Sequence, residues 1–270
     1  FGHLTQLADH TARGITTPNN DTLYSSAHLD LSLGPVELTL PPSGDRYVSV
    51  ALMDAYTNNF AILGSRTTGR DGGTFRIVGP AEGGVSPNQV RSPTPQVWAL
   101  ARVLVDGAKD MAAAMAVQAG LTVRGPVAGP PLPCATRDAP WQDYFASAAR
   151  LIAENPPPAT DLAHVLAMGP LGLDGFDPQR FSSAEIEAIE AGVAKAKVDV
   201  RSGGGPGFID GWSYPQPGLG DFGQDYRQRA SVALGGLAAL PPVEAMYMRA
   251  RGPLPRALFD GRESWHLHFP

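Results

Sequence analysis

Short apolar runs dominate the first hundred residues, and 36–40 and 47–54 among them alternate as strands do. The runs 36–40, 47–54, 59–63 and 75–78 are each bounded by Gly, Pro, Asn or Asp. A repeat of two is the side-chain spacing of a β-strand, and the 31 Gly and 26 Pro of the chain supply the turns between strands. The pattern predicts an antiparallel β-sandwich, a meander or a jelly roll, over about residues 20–106.

The hydrophobic repeat changes beyond residue 106. Segments 110–119, 141–154 and 224–237 have helical spacing, and Ser182 with Glu185 has the spacing of a capping box that begins a further helix. Segments 244–248 and 265–269 return to strand spacing. The chain is therefore predicted to be α+β, with an antiparallel β domain at 1–106, a mainly helical section at 107–240, and a return to strands at 241–270.

Composition excludes several classes of partner. The net charge is -5 with 21 Lys+Arg and no basic run, which predicts no nucleic-acid partner. No apolar run approaches the roughly 20 residues of a membrane span, so no membrane partner is expected. The single cysteine, Cys134, excludes an internal disulfide and lies in a Pro-rich segment without a basic neighbour to activate it. The sequence does not indicate the cellular compartment.

Two polar clusters, 17–24 and 54–58, lie next to strand-like runs. Asp54 ends an alternating row of apolar residues that begins at Val48, and Arg102 lies within a second such row between Trp98 and Leu104. If both rows face inward, each charge needs a partner, because an unpaired buried charge is costly.

Many short motifs resemble one family in the same order along the chain. They are Pro18–Ser25, Leu29–Leu31, Gly44–Tyr47, Asp54–Asn58, Gly64–Gly69, Ile77–Pro80, Arg91–Thr94, Val105–Gly107, Gly211–Pro215 and Gly220–Tyr226. Together they resemble the bacterial proteins of domain of unknown function 1254, and the resemblance covers nearly the whole chain. It implies a jelly-roll-like β domain, a helical section and the start of the partner domain of unknown function 1214. Members of that family form oligomers and have no agreed reaction, so the resemblance implies an oligomer and does not imply an activity.

The leading functional hypothesis is a small-molecule enzyme that performs carboxylate acid/base chemistry on a polar substrate, without a metal or nucleotide cofactor. The candidate catalytic residues are Asp21, Asp54, Tyr24, Tyr56 and Arg66. The candidate substrate-binding residues are Asn20, Asn58, Arg91, Arg102, Trp212, Tyr214 and Tyr226. The alternative is a non-catalytic ligand-binding or assembly module, in which the same side chains make turn hydrogen bonds and salt bridges.

The end of the chain supports two further expectations. His266 and His268, two apart on a predicted strand, would point to one face, but the carboxylate and third His of a metal centre are missing, so no metal is predicted. The predicted strand 265–269 has no following segment to pair with it, and an unpaired apolar edge favours association. A homo-oligomer is therefore expected.

Overall fold

The computed structural model describes residues 1–9, 11, 19–127, 129, 132–201, 208–250, 259–260 and 262–266. The strands are β1 Gly2–His3, β2 Thr22–Asp30, β3 Val36–Leu40, β4 Val48–Asp54, β5 Asn59–Gly64, β6 Gly73–Val78, β7 Gln89–Arg91, β8 Gln96–Leu104, β9 Thr122–Arg124, β10 Phe208–Ile209, β11 Trp212–Ser213 and β12 Arg249–Ala250. The helices are α1 Met111–Ala119, α2 Trp141–Glu154, α3 Leu162–Ala167, α4 Ser183–Arg201 and α5 Tyr226–Gly235. The protein is therefore α+β, as predicted.

Two sheets from the N-terminal part share one hydrophobic core. The first has the order β1-β2-β8-β4-β5 and the second the order β7-β6-β3-β9; every pair is antiparallel except β6 with β7. Alternate residues of both sheets, together with Ala114 of α1 and Leu121, form the core. Because β9 pairs with β3, the sheets include residues beyond 106.

The central strands of the first sheet are buried on both faces. All seven residues of β4 are buried, and directly paired residues share a face. Asp54 pairs with Val97 of the core, whereas Arg102 pairs with Ser49 on the opposite face. Both charged rows are thus buried, but they face opposite sides of the sheet.

Four of the five described helices match predicted segments, whose signals are local, whereas α3 was not predicted. Helix α2 has the predicted bounds, and α4 begins with the predicted capping box. The Ser182 backbone N–H donates to Glu185 Oε2 at 2.8 Å, and the Glu185 N–H donates back to Ser182 Oγ at 3.4 Å. None of the helices in the described part of the chain combines the length and apolar character needed to cross a bilayer.

The strands predicted near the C-terminus are wrong where the structure describes them. Residues 244–248 form a turn and an irregular segment, and a short strand follows at β12. The strand-like sequence pattern at 244–248 does not correspond to a strand. The Glu244 carboxylate is buried there, whereas Val243 and Met246 are exposed. Trp265 and His266 are not in a strand, because the indole of Trp265 packs on Phe259 and donates to the Asp260 carbonyl oxygen at 2.9 Å. Residues 267–270, including His268, lie outside the described residues.

An ion pair fixes the start of α1 against the sheet. Arg46 binds Asp110 through both guanidinium nitrogens, with Nη2 at 2.6 Å from Oδ1, and Nη1 also donates to the Leu104 carbonyl oxygen at 2.6 Å. The hydrogen bonds from Arg46, followed by that from the Asp106 backbone N–H, lower the pKa of Asp110 to about 2.

This depressed pKa predicts loss of stability in acid. The Asp110 carboxyl ionises near 3.8 when its partners are absent, so its contribution is present above that pH and is lost as pH falls toward about 2. We expect the Asp110→Asn variant to have a lower Tm than the wild type above about pH 5, with a difference that shrinks between about pH 4 and 2. Calorimetry across this range tests it, and an equal difference at both ends would contradict it.

Candidate functional site

The turn between β4 and β5 is built around the Asp54 carboxylate. Oδ1 accepts from the backbone N–H groups of Tyr56 and Asn58, both at 2.9 Å, and Oδ2 accepts from Asn58 Nδ2 at 3.0 Å. Asn58 Oδ1 in turn accepts from the Phe222 N–H at 3.0 Å, which joins the turn to the segment that precedes α5. Asp54 and Asn58 therefore hold the turn in place.

Burial raises the pKa of Asp54, and the hydrogen bonds from Asn58 and Tyr56 and the positive charge of Arg229 oppose this rise. The Asp54 residue is 7% exposed. Three of the roughly four acceptor positions of its carboxylate are already used. The Asp54 carboxylate therefore binds mainly N–H groups of the protein itself.

Tyr56 extends from this turn into a cleft against the helical section. Its hydroxyl donates to the Asn155 carbonyl oxygen, just after α2, and burial raises the pKa of Tyr56 to about 12, with the negative charges of Asp54 and Asp161 adding to the rise. The cleft has a volume of about 170 Å³. Its lining residues are Tyr56, Ile152, Pro157, Asp161, His164, Val165, Met168, Tyr226 and Arg229.

The polar groups of the cleft stack on one another. The His164 ring lies parallel to Tyr226 with 3.8 Å between centroids, and the Arg229 guanidinium carbon lies 5.6 Å from the Tyr226 centroid and 5.9 Å from that of Tyr56. Burial raises the pKa of Tyr226, and its hydrogen bond to Asp161 adds to the rise. The cleft thus combines an aromatic wall, a carboxylate and a guanidinium.

The predicted catalytic residues do not form one site. Thr22, next to Asp21, pairs with Leu104, and Asp54 pairs with Val97, so the two carboxylates lie at opposite ends of β8, about 24 Å apart at about 3.4 Å per residue. The antiparallel register of β2 on β8 causes this separation. Asp21 is exposed and accepts a 3.0 Å hydrogen bond from the Thr22 hydroxyl.

Tyr24 and Arg66 belong to contacts on the face of the first sheet opposite the core. The Arg102 guanidinium lies over the Tyr24 ring at 5.6 Å and donates to the Ala238 carbonyl oxygen at 3.0 Å. Arg66 forms an ion pair with Glu244, whose other oxygen accepts from the Tyr47 hydroxyl. Burial raises the pKa of Tyr47 to about 12, and Glu244 adds to the rise. These contacts fasten the segment after α5 to the sheet.

The predicted substrate-binding residues are also dispersed. Tyr226 lines the cleft and Asn58 lies in the turn behind it. Asn20 and Arg91 are exposed, and Arg91 donates to the Gly84 carbonyl oxygen at 2.7 Å. Trp212 and Tyr214 lie at or next to β11 and do not line the cleft.

Sequence reasoning missed Asp161 and His164. Their only local signal is a spacing of three at the start of a short helix, which places both on one side of α3. No group of three or more His, Cys, Asp or Glu side chains that could hold a metal ion occurs within the described ranges.

Comparisons with known proteins give a solved structure with a similar fold and a family match over part of the chain. The crystal structure of the VPA0106 protein from Vibrio parahaemolyticus matches with a TM-score of 0.66 and 19% identity, over 84% of this chain and 59% of that one. This likeness shows the fold, and the chain spans somewhat more than half of that solved chain. No curated protein matches. Residues 1–125 match the model of the family described as "Protein of unknown function (DUF1254)", which supports the assignment of the two-sheet N-terminal part to that family.

Proposed function

We propose that the protein binds a small molecule in the cleft between the β4–β5 turn and helices α3 and α5. One observation carries the proposal: a cleft of about 170 Å³ brings Arg229 and Asp161 together with aromatic and aliphatic walls. Concave sites with apolar walls and a few converging polar groups are the usual form of small-molecule sites. The volume is below the roughly 300 Å³ at which typical ligand pockets begin, so the ligand is small.

The groups that face the cleft keep hydrogen-bonding capacity. In the described part of the chain, the Arg229 side chain makes one hydrogen bond, from Nη2 to the Gly223 carbonyl oxygen at 2.7 Å, and the His164 ring makes none. Ile152, Val165 and Met168 supply the apolar surface. A ligand with a polar end and an aliphatic body matches this distribution.

Filling the cleft is expected to abolish binding. Val165→Trp places a large side chain into the space, whereas Leu166→Trp, one residue along the same helix at a position that is 68% exposed and outside the cleft, serves as the matched control. We expect fragments detected by protein-observed NMR to shift cleft resonances in the wild type and in Leu166→Trp but not in Val165→Trp. Fragment hits that map elsewhere, with Val165→Trp binding normally, would refute the proposal.

A second candidate is carboxylate acid/base chemistry on a polar substrate. The observation that favours it is the raised pKa of the buried Asp54, because a raised pKa increases the protonated fraction of the carboxyl at a given pH and only that form can donate a proton. If a substrate screen finds an activity, Asp54→Asn should abolish it and Asp21→Asn should not. An activity that survives Asp54→Asn would rule this candidate out.

Several architectural features complete the proposal. We propose a jelly-roll topology for the two sheets, a first domain whose boundary lies beyond residue 106 because it includes β9, a helical section after it, a second β domain of the 1214 type that begins within 241–270, and a homo-oligomer. Large exposed apolar side chains support association; within the described part of 208–265 they are Phe208, Ile209, Tyr214, Leu237, Val243, Met246, Tyr247, Met248, Phe259 and Trp265.

A further inference from the structure

Asp161 is a buried carboxylate without a cationic partner in the described structure. The residue is 5% exposed, and no ion pair of the described residues includes it. Its hydrogen bonds come from neutral hydroxyls, those of Tyr226 and, at 3.4 Å, Thr160. A buried carboxylate is expected to gain from a cation that reaches it.

Arg229 is the complementary case in the same cleft. Where the structure describes the chain, it forms no ion pair, its Nε is buried without a hydrogen-bond partner, and its guanidinium rests against two tyrosine rings. The two rings and the hydrogen bond from Nη2 to the Gly223 carbonyl oxygen restrict where the guanidinium can lie, and its remaining N–H groups can bind a carboxylate. Asp161 and Arg229 line the same cavity but are too far apart to form an ion pair with each other.

The balance of charge limits the ligand. A ligand with a single negative charge would satisfy Arg229 but leave Asp161 without a cationic partner. A ligand with a single positive charge would satisfy Asp161 and leave Arg229 unpaired. A ligand that carries both charges satisfies both side chains at once.

We propose that the ligand of this cleft is a small zwitterion of the α-amino acid type, with its carboxylate on Arg229, its ammonium on Asp161 and a short aliphatic side chain against Ile152, Val165 and Met168. This inference rests on the proposed function, since it names the ligand class of the same cleft. The small volume of the cleft and its aliphatic wall favour a side chain of the size of leucine over an aromatic one.

Isothermal titration calorimetry with three probes tests the proposal. The probes are L-leucine, 4-methylpentanoate, which is leucine without its amino group, and 3-methylbutylamine, which is leucine without its carboxylate. We expect leucine to bind at least tenfold more tightly than either truncated probe, because each charged hydrogen-bonded contact adds about a factor of ten or more. The comparison on the wild-type protein does not depend on any variant folding.

Two variants then assign each end of the ligand. Asp161→Asn is expected to weaken leucine about tenfold and leave 4-methylpentanoate unchanged. Arg229→Gln is expected to weaken leucine similarly and leave 3-methylbutylamine unchanged, whereas Arg227→Gln, an exposed arginine of the same helix outside the cleft, should change neither.

The outcomes separate this inference from the proposal beneath it. If a truncated probe binds as tightly as leucine, or if fragments occupy the cleft while leucine does not bind, the zwitterion assignment is wrong and the small-molecule site stands. If leucine binds equally well to Val165→Trp, it binds outside the cleft and the inference is overturned.

Discussion

The Gly64→Ala variant is expected to lose about 4 kcal/mol or more of unfolding free energy. Gly64 ends β5 with φ of 131°, a conformation that L-residues rarely adopt. A Cβ there would lie 2.1 Å from the Val48 carbonyl oxygen and 2.9 Å from Ser49 Cα, both in β4. Since backbone atoms cannot rotate away, β4 and β5 would have to separate where Ser49 pairs with Gly64.

Gly69 provides the matched control. It also has a positive φ, 88°, but a Cβ there would meet no atom within 4 Å. Gly69→Ala should therefore show the backbone cost, about 1–2 kcal/mol, without the clash. Urea denaturation measures both variants, and equal losses would show that close approach to β4 is not what requires glycine at position 64.

The local elements of this fold were predictable from the sequence. Strands such as β3 and β4 carry their repeat of two in adjacent residues, and α4 carries its capping box within four positions. Each signal depends on neighbours that remain neighbours in the folded chain. The same is true of the Asp54–Asn58 turn, whose hydrogen bonds span four residues or fewer.

The site was predicted only in part, because many of the contacts that form it join residues that are distant in sequence. Tyr56 and Tyr226 were identified as candidates, but the hydrogen bond from the Tyr56 hydroxyl to Asn155 crosses 99 positions, and a single sequence carries no signal for it. Strand alternation indicates which residues share a face and does not indicate which ends of two strands meet. Asp21 and Asp54 were therefore grouped, although the register of β2 on β8 places them at opposite ends of the sheet.

Asp54→Ala is expected to lower the unfolding free energy by about 3 kcal/mol, because it removes the acceptor of two backbone N–H groups and of Asn58 Nδ2 at a buried position. Loss of the desolvation penalty that raises the Asp54 pKa offsets part of this cost. Asp21→Ala, at an exposed position, should stay within about 0.5 kcal/mol of the wild type.

Measured together, stability and ligand affinity decide what Asp54 does. If Asp54 mainly holds the turn, Asp54→Asn, which keeps a side-chain oxygen to accept from the Tyr56 and Asn58 N–H groups, should lose less stability than Asp54→Ala. The folded fraction of Asp54→Asn should bind cleft ligands with nearly wild-type affinity. Unchanged stability combined with lost affinity would instead mean that the carboxylate serves the ligand, and that the N–H groups of the turn find other acceptors without it.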